Sequence, residues 1–487
     1  MFAAAAVSLA AALPGRLAVA RDASTGSDAI GQHLAALAVW GGGPWQPPNP
    51  EGGHALWLFA LPQVLLADSL AGMFALRAVQ AALIAPVAAL AAAAFAPRRP
   101  AQAALGAGLV VAADPGLLDT LGVAFRGYGA PELAAASALG LGLAVHRRSS
   151  GPAIAVLSAL AALGQHPMAA GLLLGVVAGL VVVRAPRRPV VLAVALGALA
   201  MIPRGWTLVQ QAGCGGPALD CLGAVARSSS EPGVGAWGLL IRALHDRILV
   251  DFGGQLGPTW LGLAIGAALA SAARRARPAL SLAVGGLMGV LALGLAVDSL
   301  RPYHLRALSG PAAVAAASGL ARVPWAAPVW GLASVAWPAP VPLPVDPGGP
   351  ARADALAARI SDLPAPLRVD AAFFDGPVGL EPAPVVLAAI VAGQPPARFQ
   401  AVGPAGVVLL CSGEPTQPPG PTLATLASRD SGPPGRALYF ANRAAASAWL
   451  HAHPVPPALV GGALDWVKAV HPRAPAVEDL RTPDGGG

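Results

Sequence analysis

The chain has 487 residues, of which 55% are hydrophobic and only 11% are charged. A soluble domain usually carries about 25% charged residues, so this composition indicates an integral membrane protein. The net charge of +7 comes almost wholly from arginine. Because the arginines stand in short clusters between apolar segments, they indicate membrane topology and argue against nucleic-acid binding.

Apolar segments recur from the N-terminus to residue 337 and predict a mainly α-helical membrane bundle of about eleven spans. Some segments are shorter than the ~20 residues that a perpendicular helix needs to cross a bilayer. We interpret the first as a retained helix, because it lacks the basic start and the tidy cleavage site of a signal peptide. The segments are 1–20, 69–96, 101–113, 131–146, 150–164, 167–183, 189–203, 257–273, 278–297, 307–321 and 325–337.

Charge separates the junctions between these segments into two sets. Five junctions, at 96–100, 146–150, 184–189, 273–278 and 321–324, contain eleven arginines and no Asp or Glu. The other junctions contain every acidic residue of positions 1–337, in outer loops that include 21–68 and 204–256. The positive-inside rule then predicts a cytoplasmic N-terminus and acidic loops on the outer face. Since the richness in Ala, Gly and Pro is typical of a GC-rich bacterial genome, we expect the bacterial inner membrane.

The composition changes after residue 337. Residues 338–350 form a Pro-rich, semi-rigid linker, and short β-like and helix-like runs alternate beyond it. This alternation predicts a small α/β domain over 351–480, on the outer, periplasmic side because the number of spans is odd. Residues 481–487 are predicted to be a disordered tail.

The first outer loop begins "RDASTGSDAIGQHLAALAVW" and contains Asp22, Asp28 and His33. Asp28 and His33 lie close to one face if this segment is helical. A carboxylate near apolar segments is costly to desolvate, which suggests a functional role for Asp28. An alternative is that Asp28 only caps the helix that follows. The Trp/Pro/Gly-rich stretch after it is predicted to lie along the membrane surface or to dip into it.

Further ionisable residues occur at predicted ends of spans. Arg77 falls inside the second span, where an ionisable residue is either functional or paired, and Asp68 is a possible partner. Asp114 and Asp119 could supply a second acid or metal ligand, although Asp114 before Pro115 is also typical of a helix boundary. His166 could contact substrate or could simply occupy a turn. Beyond Arg77 the spans are interpreted as almost free of charge.

A second group follows the long outer loop. Arg301, His304 and Arg306 leave a span on the outer side and are candidate phosphate ligands, and Tyr303 could line a groove beside them. Arg and Tyr also anchor helices at membrane interfaces without any catalytic role.

The sequence gives only weak support for a metal site or a disulfide. His33 and His54 could join Asp28 at a metal, but their spacing matches no strong metal signature. Cys214 and Cys221 stand close enough to form a disulfide if their loop faces an oxidising compartment. The chain contains no Walker A loop, G-x-S-x-G or H-E-x-x-H motif.

The order of these features resembles the GT-C superfamily of integral-membrane glycosyltransferases, which use polyprenyl-phosphate sugars. The resemblance rests on an inside N-terminus and first helix, then Asp28, the loop "HLAALAVWGGGPWQPPNPEGGHALWLFALPQVLLADSL" and "MFALRAVQAAL" with Arg77. The stretches "RGYGAPELAAASALGLGLAV", "QHPMAAGLLLG" and "RPYHLRALSGPAAVAAASGL" also resemble loop-to-span junctions of that group. Many members have two acids close together in the first loop, whereas here five residues separate Asp22 from Asp28.

The resemblance implies sugar transfer from a polyprenyl-phosphate donor to a lipid, glycan or protein acceptor. Such a reaction needs a carboxylate to take the acceptor proton, for which Asp28 is the first candidate and Asp22 the second. It also needs positive charge at the leaving phosphate, from arginine or from a divalent metal such as Mg²⁺ or Mn²⁺. Two alternatives stay open: a transporter or flippase of a lipid-linked substrate, and a non-catalytic membrane scaffold.

Overall fold

The computed structural model is mainly helical. It describes residues 1–22, 33, 63, 65–117, 130–165, 169–211, 236–245, 257–296, 302–337, 349–361, 367–369, 383–395, 399–401, 407–412, 422–426 and 435–440. The helices of the first 337 residues are α1 (Phe2–Arg21), α2 (Leu70–Ala82), α3 (Ile84–Phe95), α4 (Pro100–Ala113), α5 (Ala130–Val145), α6 (Ser150–Gln165), α7 (Ala170–Val183), α8 (Arg187–Gln211), α9 (Ala236–His245), α10 (Pro258–Ser271), α11 (Arg277–Ala296), α12 (Pro302–Arg306), α13 (Ser309–Leu320) and α14 (Ala326–Ala336).

Each predicted apolar segment coincides with a helix or a helix pair, because long runs of Ala, Leu and Val favour helix and lack polar positions that would end it. Three stretches of the described residues are long and apolar enough to cross a membrane: Phe2–Arg21, Leu70–Phe95 and Arg277–Leu295. Six other apolar helices are shorter.

The second predicted segment is two helices, α2 and α3, that meet at Leu83. Pro86 stands in the first turn of α3 and has no backbone N–H to donate to the preceding turn. The amide of Leu83 donates to the carbonyl of Gln80 at 3.1 Å, which tightens the end of α2. The proline therefore divides this long apolar stretch at Leu83.

The five arginine-containing junctions lie together at one end of the bundle, which we call the arginine end. Arg99 Nη1 donates to the carbonyls of Ala321 at 3.1 Å and Arg322 at 2.6 Å. The imidazole Nε2 of His146 is hydrogen-bonded to the carbonyl of Ala94 at 2.8 Å. Arg322 Nη1 donates to the carbonyl of Leu269 at 3.4 Å. These bonds connect four of the junctions across helices that are far apart in sequence.

The fifth junction, at 184–189, joins the same end through close packing of α7 against α11. A Cβ placed on Gly179 would lie 3.2 Å from the carbonyl oxygen of Pro278, at the start of α11. Along the same interface, a Cβ on Gly285 would lie 2.9 Å from the Cα of Gly175. Small residues that let backbones approach this closely are typical of helix pairs in membranes.

Much of the bundle's exterior is apolar. Leu174 and Val181 on α7 are 58% and 70% exposed, and Leu192 on α8 is 61% exposed. Several polar side chains, among them Arg16, Arg77 and His304, are instead buried inside the bundle. A soluble protein rarely exposes so much apolar surface, and this distribution suits a lipid environment.

Two helices differ from the expected extent of the 204–256 loop. Helix α8 continues to Gln211 instead of ending at 203, since "GWTLVQQ" contains no residue that must end a helix. Helix α9 lies within the expected loop and buries Leu239 and Ala243, whereas Trp237 and Ile241 are exposed. The i, i+4 spacing of the buried pair is that of an amphipathic helix.

Beyond the linker the structure describes two helices and five short strands. They are α15 (Gly349–Ile360), α16 (Ala383–Val391), β1 (Leu367–Val369), β2 (Phe399–Ala401), β3 (Val407–Ser412), β4 (Thr422–Leu426) and β5 (Gly435–Phe440). Strands β1 and β2 pair in parallel, and β5 lies between β3 and β4, antiparallel to both. Helix α15 begins at Gly349, two residues before the expected start of the domain at residue 351.

Candidate functional site

An ion pair joins two helices near the end of the bundle opposite the arginine end. Arg77 on α2 is 3% exposed, and its Nη1 donates to Oε1 of Glu132 in the first turn of α5. The sequence suggested Asp68 as a partner, but Glu132 is the acid that the structure brings to Arg77. Asp68 instead accepts a hydrogen bond from the hydroxyl of Ser69 at 3.1 Å, where α2 begins.

Arg16 on α1 adds a second buried cation to this region. Its side chain is fully buried, and its Nη1 and Nη2 donate to the carbonyls of Ala112 at 3.5 Å and Val111 at 3.3 Å. These carbonyls belong to the last turn of α4, where a cation is stabilised by the helix dipole. Arg16 also interacts electrostatically with Asp114, Glu132 and Arg77. Four helices therefore contribute to one buried group of two cations and two anions.

Asp114 lies at the end of α4 and confirms the helix-boundary alternative. It is the residue that ends the helix, and its Oδ1 accepts a hydrogen bond from the amide of Gly116 at 2.9 Å. The residue is 5% exposed. The carboxylate therefore closes the end of α4 and lies in the same region as the guanidinium of Arg16.

A chain of polar side chains connects the segment 21–68 to the bundle. His33 and Gln63 are both buried, and the imidazole Nε2 of His33 lies 2.7 Å from Oε1 of Gln63. Nε2 of Gln63 donates to Oε1 of Gln80 at 2.5 Å. Gln80 lies three residues after Arg77 on α2, so the two side chains are neighbours on the helix. The chain thus reaches from His33 to the immediate vicinity of the Arg77–Glu132 pair.

The 301–306 group enters the bundle at the same end. His304 is 5% exposed and Arg306 is 8% exposed, so neither is an exposed interfacial anchor. Helix α13 follows directly, and a Cβ on its Gly310 would lie 3.3 Å from Cβ of Ala135, one turn beyond Glu132 on α5. The start of α13 therefore packs beside the first turns of α5.

Several candidates lie outside this group or outside the described residues. Asp22 ends α1, and its Oδ2 forms an ion pair with Nη2 of Arg21 at 2.9 Å at the surface. The candidates outside the described residues are Asp28, His54, Asp119, His166, Arg301, Cys214 and Cys221, together with the side chain of Tyr303 and the 481–487 tail. Their predicted roles stay predictions.

The expectation that the spans are almost free of charge beyond Arg77 is wrong. Arg16 lies inside α1, and it is the single charged residue of positions 1–20. An isolated ionisable residue in an apolar segment is by itself a sign of pairing or function, so the sequence did contain the signal for Arg16. Glu132 was visible only as one of several loop acids, and nothing in its spacing indicated Arg77 as its partner.

Within the described residues, no three His, Cys, Asp or Glu side chains come close enough together to hold a metal ion. The Mg²⁺ or Mn²⁺ site stays a prediction. No protein-family model matches the chain, and no curated protein matches it in sequence.

Proposed function

We propose that the protein is a GT-C-like glycosyltransferase that moves a sugar from a polyprenyl-phosphate donor to a lipid, glycan or protein acceptor. The observation that carries the proposal is the polar chain from the first outer loop into the bundle. His33 is hydrogen-bonded to Gln63, and Gln63 to Gln80, which lies one helical turn from Arg77 and its partner Glu132. Burial of polar and charged groups among apolar helices is costly and is usually retained for function.

Asp28 is the proposed base. It precedes His33 by five residues, and a chain of that length spans at most about 18 Å, so covalent connection alone keeps Asp28 near the buried group. Its carboxylate would take the proton of the acceptor hydroxyl as the bond between sugar and phosphate breaks. Asp22 is the second candidate, and its carboxylate is paired with Arg21 at the surface.

The cations of the region would balance the charge that develops on the leaving polyprenyl phosphate. Arg306 and His304 are buried on α12, directly before α13, and are proposed to bind the phosphate, together with Arg301. Arg77, held by Glu132, is proposed to add to the positive potential beside Gln80. The apolar exterior of the bundle offers a surface along which the polyprenyl chain can lie.

The proposal also includes the orientation of the bundle in the membrane and the location of the C-terminal region. The arginine end would face the cytoplasm of a bacterial inner membrane, with about eleven spans above it. Residues 351–480 would form a periplasmic α/β domain. This is supported by Asp354 of α15, whose carboxylate accepts hydrogen bonds from the amides of Leu70 and Ala71 at the start of α2, the end opposite the arginine end.

The test measures release of polyprenyl phosphate, a product that every acceptor would give. Membranes that contain equal amounts of wild type, Asp28→Asn or Asp68→Asn receive a panel of polyprenyl-phosphate hexoses and pentoses. Loss of the base should reduce release by roughly 10²–10⁴-fold in Asp28→Asn and leave Asp68→Asn active. Full activity in both Asp28→Asn and Asp22→Asn would rule out the proposed base, and absence of release by wild type over the whole panel would contradict the reaction.

A transporter or flippase of a lipid-linked substrate is the second candidate, and the buried Arg16 favours it. Charges packed between membrane helices are typical of transport pathways. Proteoliposomes separate the two functions, because a transporter moves the intact polyprenyl-phosphate sugar to the other leaflet without releasing polyprenyl phosphate.

A further inference from the structure

The arginine end carries a concentration of exposed positive charge that the proposed glycosyl transfer does not use. Its five junctions contain eleven arginines and no Asp or Glu. All of these arginines except Arg99 are exposed, and Arg99 is half-buried. Topology by itself requires only a bias of positive charge, and it does not dictate the backbone conformation in which an arginine is held.

Backbone conformation sets two of these arginines apart. Among the residues that the structure describes, three other than glycine have positive φ: Arg147 and Arg184 at 55° and Trp325 at 62°. All three lie at the arginine end. Arg184 directly follows the last residue of α7, a position where glycine is the usual residue because it has no Cβ to strain. A chain with 59 glycines nevertheless has arginine there. Backbone strain from a left-handed conformation is often retained at positions where the side chain has a function.

Two turns bring charge and apolar surface together. The turn after α7 carries Arg184, Arg187 and Arg188, and Gly179 packs against Pro278 beside the turn that carries three more arginines. Directly next to the first turn, Val181 is 70% exposed and Leu192 is 61% exposed. Positive charge at the rim of an exposed apolar surface matches a ligand that has an anionic head and a hydrocarbon tail.

We propose that the arginine end binds anionic phospholipids, with the lipid phosphates on the two turns and the acyl chains along α7 and α8. A guanidinium binds a phosphate through two parallel N–H···O bonds, which favours arginine over other cations at such a site. An acidic protein or a nucleic acid has no hydrocarbon chain to contact the exposed Val181 and Leu192. This inference is independent of the proposed glycosyl transfer.

The experiment exploits the left-handed conformation. Arg184→Gly removes the side chain and also relieves the backbone strain, so we expect this variant in detergent to unfold at the same temperature as wild type or higher. Full-length protein is then titrated with phosphatidylglycerol, phosphatidylcholine or inorganic phosphate, and binding is followed by native mass spectrometry and by the shift in unfolding temperature. Arg21→Gly, which removes an exposed arginine at the opposite end, is the matched control.

We expect phosphatidylglycerol to bind and stabilise wild type and Arg21→Gly, and phosphatidylcholine and inorganic phosphate to have little effect. Each arginine lost from the arginine end should weaken phosphatidylglycerol binding roughly fivefold. Arg274→Gln/Arg275→Gln gives a second variant that leaves the left-handed positions untouched. Equal binding of phosphatidylglycerol by wild type and all of these variants would overturn the proposal, as would equal stabilisation by phosphatidylcholine or by inorganic phosphate.

Discussion

Arg77 and Glu132 form an ion pair between α2 and α5, 55 positions apart in the sequence and nearly excluded from solvent. The two charges stabilise each other strongly because bulk water solvates neither of them well. Removing one partner should therefore leave an uncompensated charge inside the bundle. The pair also fixes α2 beside the start of α5, and with it the position of Gln80.

Glu132→Ala or Arg77→Ala should lower the free energy of unfolding by about 3–5 kcal/mol, the usual cost of breaking a buried pair. The double variant Arg77→Met/Glu132→Leu should be more stable than either single variant, because it leaves no unpaired charge. Thermal unfolding of the purified protein in detergent measures this. A double variant whose loss equals the sum of the single losses would show that the two residues act independently.

Arg16→Met should destabilise the bundle by about 1.5–3 kcal/mol, because the terminal carbonyls of α4 at Val111 and Ala112 lose a charged donor. Arg21→Met is the control on the same helix. Arg21 is exposed and pairs with Asp22 in solvent, so its loss should destabilise the protein much less than the loss of Arg16. The same unfolding assay compares the two, and equal losses would contradict the capping role of Arg16.

Gln63→Leu should leave the buried His33 without the oxygen of Gln63 as a partner and should lower stability by about 1–3 kcal/mol. Since Gln63 also bonds Gln80, a double-mutant cycle with Gln80→Leu should give a coupling energy of about 0.5–3 kcal/mol. A coupling energy near zero would show that the segment 21–68 is not coupled to α2 and would remove the main support for the proposed site.

Contact between α15 and α2 should weaken as the pH rises. Burial raises the pKa of Asp354 above its ordinary value of 3.8, the amides of Ala71 and Leu70 oppose this rise, and the charge of Asp68 adds to it. An acid with a raised pKa in the folded state contributes stability that is complete below its unfolded pKa and is lost as the pH passes its folded pKa. The contact should therefore be strongest in acid and weaker at neutral pH.

Hydrogen exchange of the α15 backbone, corrected for the intrinsic effect of pH, measures this from about pH 4 to pH 7. Protection should fall over this interval in wild type and stay constant in Asp354→Asn, which has no titrating carboxyl. If Asp354→Asn keeps the pH dependence and Asp68→Asn loses it, Asp68 is the group that controls the contact.

Gly285→Val should destabilise the interface between α7 and α11 by about 1–3 kcal/mol or more, because its Cβ would lie 2.9 Å from the Cα of Gly175. Backbone cannot move aside as a flexible side chain can. Val284→Ala changes the adjacent, half-exposed residue and should cost no more than about 0.5 kcal/mol beyond its loss of apolar contact. Similar losses for the two variants would show that close approach of the helices is not what Gly285 provides.

Local sequence was sufficient to predict most of the helices of residues 1–337 but not which helices contact each other. The apolar segments correspond to helices because the helical, apolar character of each run depends on its own residues and not on distant ones. Helix α9 was missed because its apolar run "AWGLLIRALH" has only 10 residues, too few to predict a span, and lies within a long stretch that was interpreted as a loop. The strand β4 has the sequence "TLATL", which is as compatible with helix as with strand when read alone.

The sequence by itself determined the helical, apolar character of residues 1–337 and the separation of arginine from acid along the chain, because both are properties of composition and order. It also marked Arg77, Asp114 and His33 as residues out of keeping with their surroundings. Only the tertiary structure decided that Arg77 meets Glu132, that Arg16 reaches the end of α4 and that His33 is linked to Gln80. Such pairs depend on which helices are neighbours in space. That choice is made by packing of small residues across many helices at once, which no single stretch of sequence encodes.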